Sequence, residues 1–441
     1  MTINILGGGL AGSECAYFLA THGIKVNLFE MKPEKFSPAH KNPNFAEIVC
    51  SNSLKNEDIL TSSGLLKYEM DELGSMILKV ARQNRVPAGN ALAVDREKFS
   101  MEVTKLLKSN ENITIINKEV QDIDLSQKDT IWVVATGPLT SAPLLKGLQN
   151  LLGEEQLHFF DASAPIVTAE SLDYTKCFKQ DRYGEIGKGD YLNAVMDKSE
   201  YETFVKELKN AEVVTLHDFE KGDIFEGCMP VEVMAKRGDD ALRFGPLKPV
   251  GFNINPLGVK PYAVLQLRKE NTEEETYNLV GFQTNLKFGE QKRVFSLIPA
   301  LKNAEFVKYG VMHRNSFINA PKNLESDYSL KKFPNVYIAG QLSGVEGYVE
   351  STASGLIVAI AIYLKLKGKL LELNNKTMIG AIASYISNPC NANSFQPMNS
   401  NYGIIATTGE RIKDKEAKRR AIFERSKTEI EKLKEIINDG N

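Results

Sequence analysis

The chain has 441 residues, of which 42% are hydrophobic and 25% charged, and its formal net charge at pH 7 is −2. This length allows about two or three domains, and the near-neutral charge excludes a globally basic nucleic-acid-binding protein. Its five cysteines include no C-x-x-C pair, which argues against a disulfide framework and a cysteine-rich zinc site, so we expect no metal. The chain enters its first strand directly, and its longest apolar run, 355–364, is about half a membrane span. We therefore predict a cytoplasmic protein.

The first thirty residues predict a nucleotide-binding βαβ unit. An apolar strand runs into the motif Gly7-x-Gly9-x-x-Gly12, and an apolar helical pattern follows. Gly7 would permit a tight turn, Gly9 would let the backbone approach a pyrophosphate, and Gly12 would pack the helix against the strand. A second strand, 25–29, ends in Glu30, where an acid would bind the adenosine ribose hydroxyls. The helix N-terminus would bind the phosphates, so the unit predicts a dinucleotide cofactor.

The elements that follow predict an interrupted nucleotide-binding domain. In chain order the pattern indicates a loop at 33–44, helices around 60–80 and 99–107, strands at 113–117 and 130–134, and a late buried strand at 335–339. The stretch between 160 and 325 has mixed strands and little βαβ rhythm. We predict an α/β protein whose FAD-binding doubly wound (Rossmann-like) domain is interrupted by an α+β insertion domain. The predicted limits are 1–160, 161–325 and 326–441, the last with a basic C-terminal helix.

Two small-residue turns favour FAD over NAD. Thr136 and Gly137 follow a buried strand, and the late strand leads into the glycine-rich stretch 340–355 and an apolar helix. A second, distant strand–glycine–helix element suits the ribityl chain and flavin ring, which run to the far side of the sheet. Within this stretch, Glu346 and Glu350 are compatible with a solvated loop or with a position near the flavin.

Two cysteines stand in unusual sequence surroundings. Cys50 lies where an apolar run meets small polar residues, and Cys228 follows a glycine and precedes Met-Pro. Both settings indicate a turn or element end, where a thiol can be accessible and backbone N–H groups can lower its pKa. The alternative for each is a buried, inert cysteine, which is the commoner role. Cys15 falls on the apolar face of the first helix, where packing is expected.

Long segments of the chain resemble the folate- and FAD-dependent tRNA (uracil-5-)-methyltransferase family. They cover nearly the whole chain, and their residues are 7–14, 50–54, 86–89, 91–96, 225–230, 233–238, 309–315, 344–351 and 393–399. One departure is Gly8, where an alanine is common. A related flavoprotein that modifies wobble uridines shares the FAD elements, but it is longer and should lack the two cysteine segments.

The resemblance implies a reaction that thiols can support. Uracil C5 becomes nucleophilic when a thiolate adds at C6, and the C5 proton must then pass to a base. The one-carbon donor would be 5,10-methylenetetrahydrofolate, with FAD reduced by NADPH or NADH. The resemblance assigns Cys228 as the nucleophile and Cys50 as the general base or flavin-side partner, and the reverse assignment stays open.

The resemblance also implies binding residues. The residues expected at the cofactor are Gly7, Gly9, Gly12, Glu30, Thr136, Gly137, Gly340, Gln341, Gly347, Tyr348 and Ser351. His313 and Arg314 are folate candidates, by stacking on the pterin and by pairing with the glutamate tail, although Arg314 could instead bridge domains. The best RNA-binding cluster has Arg411, Lys415, Arg419 and Arg420, and Lys287 with Lys292 and Arg293 are further candidates. A charged C-terminal helix is also typical of a solvated face.

Three functions follow from these observations. The first is methylation of the T-loop uridine of tRNA. The second is the same chemistry on a uridine of 23S rRNA, which no motif distinguishes from the first. The third is a flavin-dependent oxidoreductase or RNA-binding flavoprotein without methyl transfer, against which the intact Cys50 and Cys228 count.

Overall fold

A computed structural model describes residues 1–153, 157–214, 229–252, 258, 260–409 and 412–438. The strands in chain order are β1 Thr2–Leu6, β2 Val26–Glu30, β3 Ser53–Asn56, β4 Arg85–Val86, β5 Ala91–Val94, β6 Ile113–Asn117, β7 Thr130–Val134, β8 Leu157–Ala162, β9 Ile166–Thr168, β10 Cys177–Lys179, β11 Leu192–Met196, β12 Ala263–Lys269, β13 Thr276–Leu279, β14 Phe306–Lys308, β15 Met312–Phe317, β16 Ser329–Leu330 and β17 Phe333–Ile338.

The helices are numbered in the same way, and the last three of them follow the final strand. They are α1 Leu10–Thr21, α2 Ser62–Glu72, α3 Met76–Gln83, α4 Arg96–Lys108, α5 Ala142–Leu152, α6 Lys198–Asn210, α7 Val231–Ala235, α8 Phe288–Phe295, α9 Ala320–Asn323, α10 Tyr348–Leu366, α11 Met378–Ser387 and α12 Lys415–Asn438.

The first sheet has the strand order β16-β17-β7-β1-β2-β6 among the described strands. Its pairs are parallel except for the edge strand β16, which runs antiparallel to β17. The chain moves from β1 to β2 on one side, whereas β7 lies on the other side of β1. The carboxyl end of β1 is therefore a topological switch point, where doubly wound sheets bind ligands. The predicted doubly wound α/β class is confirmed.

The late strand and helix return to the first sheet as predicted. β17 pairs with β7, which places residues 333–338 beside a strand about 200 positions earlier in the chain. α10 packs closely on α1, because a Cβ added at Gly355 would lie 2.1 Å from the carbonyl oxygen of Ala11. One apolar core joins these elements with α2, α3, α4, α11 and α12.

The second sheet, with the order β10-β11-β12-β13-β9-β14, is antiparallel. It has its own apolar core with α6, α7 and α8, between Val167 and Ala304. β8 and β15 form a two-stranded ribbon, and β8 runs across the predicted domain limit at residue 160. A separate small sheet of β3, β5 and β4 lies earlier in the chain. The domain limits stay a prediction.

Two local differences from the sequence prediction have a physical reason. The helical pattern at 60–80 forms two helices, since Gly74 adopts φ +85° and Ser75 caps α3 by accepting the N–H of Leu78. α10 has the length and hydropathy of a membrane span, but 83% of its most apolar 18-residue stretch is buried inside the protein, as in a core helix. A cytoplasmic location stays a prediction.

Candidate active site

The glycine motif forms a turn that only small residues allow. Gly7 adopts φ +97°, and a Cβ there would lie 2.6 Å from the carbonyl oxygen of Ala135. A Cβ at Gly12 would lie 1.9 Å from the carbonyl oxygen of Gly7, so Gly12 brings α1 against the turn. Gly8 also has no room for an alanine, because the ring of Phe45 would lie 2.3 Å from an added Cβ.

A cavity of about 450 Å³ opens at the carboxyl end of β1. No atom lies within 4 Å of a Cβ added at Gly9, which faces this cavity with the first residues of α1. Gly9 offers α1 no side-chain cap, and the first turn of the helix has no acidic residue. The N–H groups and the positive dipole end of α1 are thus available to an anionic ligand.

Glu30 stands beside this turn at the end of β2. It is buried, and its Oε2 accepts the N–H of Gly8 at 2.8 Å. Its Oε1 accepts the N–H of Lys32 at 3.0 Å. These two bonds fix the carboxylate at the cavity wall, while its ribose-binding role stays a prediction.

Most of the predicted site residues lie in the wall of this one cavity. Those present are Gly7, Gly9, Glu30, Cys50, Thr136, Gly137, His313, Gly340, Gln341, Tyr348 and Ser351. Gly12, Gly347 and Arg314 are not part of the cavity wall. Gly12 packs behind the glycine turn, and Gly347 is the N-cap of α10 with φ +110°. Arg314 is exposed, because it follows His313 on β15 and neighbouring residues of a strand face opposite sides. His313 faces the cavity, and burial followed by the charges of Lys308 and His40 lowers the pKa of its imidazole.

Glu346, just before α10, and Glu350, in its first turn, are both buried, so the solvated-loop alternative for them is wrong. Glu350 is fully buried, and its Oε1 accepts from Lys55 Nζ at 2.7 Å and from the N–H of Ser400 at 2.8 Å. Burial favours the neutral acid, but Lys55 and Ser400 outweigh it and lower the pKa of Glu350. Glu346 accepts a hydrogen bond from the amide of Gln341, and burial raises its pKa to about 8.

Cys50 is held against α10 and β8. Its backbone N–H donates to Oη of Tyr348 at 2.8 Å, and its Sγ donates to the carbonyl oxygen of Ala162 at 3.7 Å. Burial and the Asp161 carboxylate raise the pKa of this thiol, while neighbouring cations oppose them. The expectation that local N–H groups lower the pKa of Cys50 is therefore wrong: its hydrogen bond is to a carbonyl.

Two basic residues that the sequence analysis did not predict as site residues donate hydrogen bonds to the backbone just before Cys50. Arg96 Nη1 donates to the carbonyl oxygens of Ile48 at 2.9 Å and Val49 at 3.1 Å. Lys308 Nζ donates to the same Val49 oxygen at 2.7 Å. Both charges lower the pKa of the Cys50 thiol against the effect of burial. The only sequence signal was position, since Arg96 ends one family segment and Lys308 directly precedes another.

Cys228 lies outside the described residues. The described residues on either side of it, which end at Val214 and resume at 229, both form hydrogen bonds with residues 283–285. The N–H of Val214 donates to Asn285 at 2.9 Å, and the N–H of Val231 donates to Gln283 at 2.7 Å. Between them, Thr284 donates to the carbonyl oxygen of Ser163, a residue of the cavity wall. Both flanks are thereby anchored beside the cavity.

The predicted RNA cluster is only partly free. Lys415 is exposed, Arg420 pairs with Glu416 at 2.7 Å, and Arg419 lies 5.1 Å from the ring centroid of Tyr402. Arg411 lies outside the described residues. The cluster begins α12, which is attached to α2 by a hydrogen bond from Ser426 to Glu69.

Comparison with known proteins then decides the family. The family model described as glucose inhibited division protein A matches residues 2–370. A relative from Acetivibrio thermocellus, named methylenetetrahydrofolate--tRNA-(uracil-5-)-methyltransferase TrmFO, is 55% identical over 99% of this chain and 98% of its own length. A relative of the same name from Thermotoga maritima is 50% identical over the full length of both chains. The chain belongs to the TrmFO family.

The solved structures agree on the fold. The Aquifex aeolicus GidA structure superposes with a TM-score of 0.69 at 16% identity, covering 99% of this chain and 78% of that chain. A second crystal form gives a TM-score of 0.68. At this identity the likeness shows the fold alone. The TrmFO family assignment therefore rests on the close sequence relatives.

Proposed function

We propose that this chain transfers the one-carbon unit of 5,10-methylenetetrahydrofolate to C5 of the T-loop uridine in tRNA, which gives 5-methyluridine. The observation that carries the proposal is the 55% identity, over nearly the whole of both chains, to a relative whose name states this activity. The geometry supports it, because Cys50 shares one cavity with the glycine turn.

The cavity residues fit FAD. An adenosine diphosphate would lie on Gly9 and the N-terminus of α1, where no side chain intrudes. The ribityl chain and flavin ring would run along Gly340, Gln341 and the start of α10. Reduced FAD bound there would supply the reducing equivalents, which NADPH or NADH would restore.

The folate would enter beside β15. The neutral imidazole of His313 can stack on a pterin, and its place in the cavity wall supports that role. Arg314 is exposed on the same strand, so it would reach only the glutamate tail outside the cavity.

The two thiols would have different roles, Cys228 as the nucleophile and Cys50 as the base. The Cys228 thiolate would form a bond from sulfur to C6, and the electron pair of the C5–C6 double bond would attack the one-carbon unit from C5. Cys50 would take the C5 proton as the bond from the transferred carbon to the folate nitrogen breaks and tetrahydrofolate leaves. A hydride supplied by the reduced flavin would convert the remaining methylene into a methyl group, and the C6–S bond would break as the C5–C6 double bond returns. Arg96 and Lys308 would favour the thiolate form of Cys50 that this base needs. The reverse assignment of the cysteines remains the alternative.

RNA binding would use local basic patches, since the whole chain is near neutral. Lys415 and Arg419 at the start of α12 are the described members of the predicted cluster that are not ion-paired to a carboxylate. The target uridine would have to leave its stack, because C5 and C6 must face the thiol groups.

Labelled methylene transfer tests the proposal. Methylenetetrahydrofolate, NADPH or NADH and the FAD-loaded protein are incubated with unmodified tRNA and, in parallel, with a 23S rRNA transcript. A tRNA with cytidine in place of the target uridine is the control. Label in the T-loop is the expected result. Label only in the rRNA would show that the substrate is 23S rRNA and not tRNA. Oxidation of the nicotinamide without label in either RNA would favour a flavin-dependent oxidoreductase.

A further inference from the structure

Three aromatic rings form a near-parallel stack from the second core to the cavity. The rings of Phe306 and Tyr309 are 5.2 Å apart at an interplanar angle of 6°. Those of Tyr309 and Phe288 are 4.9 Å apart at 16°. Phe306 packs against the second core, and Tyr309 and Phe288 line the cavity. The orientation of the Phe288 ring is thus fixed by the rings behind it.

The outer ring of this stack is exposed. Phe288 is 53% exposed and neighbouring Val307 is 59% exposed, and both line the same cavity as Cys50. A single exposed aromatic residue is common on protein surfaces. A ring held in one plane at the edge of a cavity is more specific, since it offers a flat ligand a stacking surface at little entropic cost.

Of the basic residues Lys287, Lys292 and Arg293, only Lys292 has no carboxylate partner among the described residues. Lys287 pairs with Glu212 at 2.6 Å, and Arg293 pairs with Glu290 at 2.8 Å. Lys292 is exposed and makes no ion pair with the described residues. Because Lys292 follows Phe288 by four positions in one helix, the two side chains lie on the same face.

We propose that Phe288 and Lys292 bind one nucleotide of the RNA substrate, with its base stacked on Phe288 and its phosphate paired with Lys292. This inference rests on the proposed function. A uridine that reaches Cys50 must leave its stack, so its neighbour in the strand arrives at the cavity edge with an uncovered base face. An aromatic ring and a free cation on one helix face match the two parts of that neighbour.

Binding of unmodified tRNA to the FAD-loaded protein tests the site. Phe288→Ala should weaken the affinity about 10-fold, and Phe288→Tyr should restore most of it. Lys292→Gln should reduce the slope of log affinity against log salt by about one. The matched controls are Phe244→Ala, an 84% exposed phenylalanine outside the cavity wall, and exposed Lys302→Gln. Thermal melting of each variant identifies any that is misfolded.

The outcomes separate this inference from the proposed function. If the wild-type protein methylates tRNA, but Phe288→Ala and Lys292→Gln bind tRNA as tightly as the wild type does, the inference is overturned and the proposed function is not. A raised KM for methylenetetrahydrofolate with unchanged tRNA affinity would assign the ring to the folate and also overturn it. Wild-type protein that neither binds nor methylates tRNA would overturn the proposed function, and the inference with it.

Discussion

Lys308 Nζ donates to the carbonyl oxygen of Val49 at 2.7 Å, and Val49 directly precedes Cys50. The bond joins β14 of the second sheet to the loop that carries a candidate catalytic thiol. Burial lowers the pKa of Lys308 to about 8, so the side chain is still mostly charged at pH 7. The contact therefore fixes the loop and brings a positive charge close to the thiol.

Removing this charge should make Cys50 less reactive. Lys308→Met keeps the length of the side chain but loses the cation that lowers the pKa of Cys50. The alkylation rate of Cys50 at pH 7 should fall roughly 3- to 10-fold, and its pH profile should move to higher pH. Iodoacetamide labelling, resolved by mass spectrometry of the Cys50 peptide, measures both. Exposed Lys302→Met is the control, and equal rates in the two variants would contradict the prediction.

The glycine motif gives a second prediction, because two of its positions differ in what surrounds them. Gly9→Ala adds a methyl group in open space at the cavity, so the protein should melt normally but retain FAD at least about 10-fold more weakly. Gly12→Ala forces a contact of 1.9 Å with backbone and should lower the melting temperature. Calorimetry and flavin release measure the two effects. Normal FAD affinity in Gly9→Ala would place the cofactor elsewhere.

The sequence was sufficient where short-range patterns determine the structure. β6 and β7 have the predicted bounds, 113–117 and 130–134, since each is a short apolar run between turn residues. The glycine motif was equally local. The surroundings of Cys50 were not predictable in this way, because Val49 and Lys308 are 259 positions apart and Cys50 and Tyr348 are 298 apart. Burial raised the thiol pKa, and local sequence does not report burial of this kind.

The two cysteines can be separated by a covalent trap. Cys50→Ala and Cys228→Ala should both abolish methyl transfer, since one removes the base and the other the nucleophile. Only Cys228→Ala should also abolish the denaturant-stable adduct with tRNA that contains 5-fluorouridine. Cys390→Ala, a free and exposed cysteine, is the control and should keep both activities. Loss of the adduct in Cys50→Ala alone would reverse the assignment.

The attachment of α12 should depend on pH through Glu69. This buried carboxylate accepts the N–H groups of Met378 and Ile379, each at 2.7 Å, and the hydroxyl of Ser426 at 2.5 Å. Burial nevertheless raises its pKa from 4.5 to about 7. The folded state therefore holds this proton more tightly than the unfolded state, so the stabilisation is full below pH 4.5 and declines until about pH 7.

Glu69→Gln should remove this dependence. The free energy of unfolding of the wild type, relative to the variant, should fall by roughly 1–3 kcal/mol between pH 5 and pH 8. Denaturant unfolding of both proteins at the two pH values measures it, with exposed Glu97→Gln as the control. Since Glu69 is the hydrogen-bond partner of Ser426 in α12, protease cleavage within α12 should rise over the same pH interval in the wild type. A difference between wild type and Glu69→Gln that stays constant with pH would show that Glu69 does not titrate there.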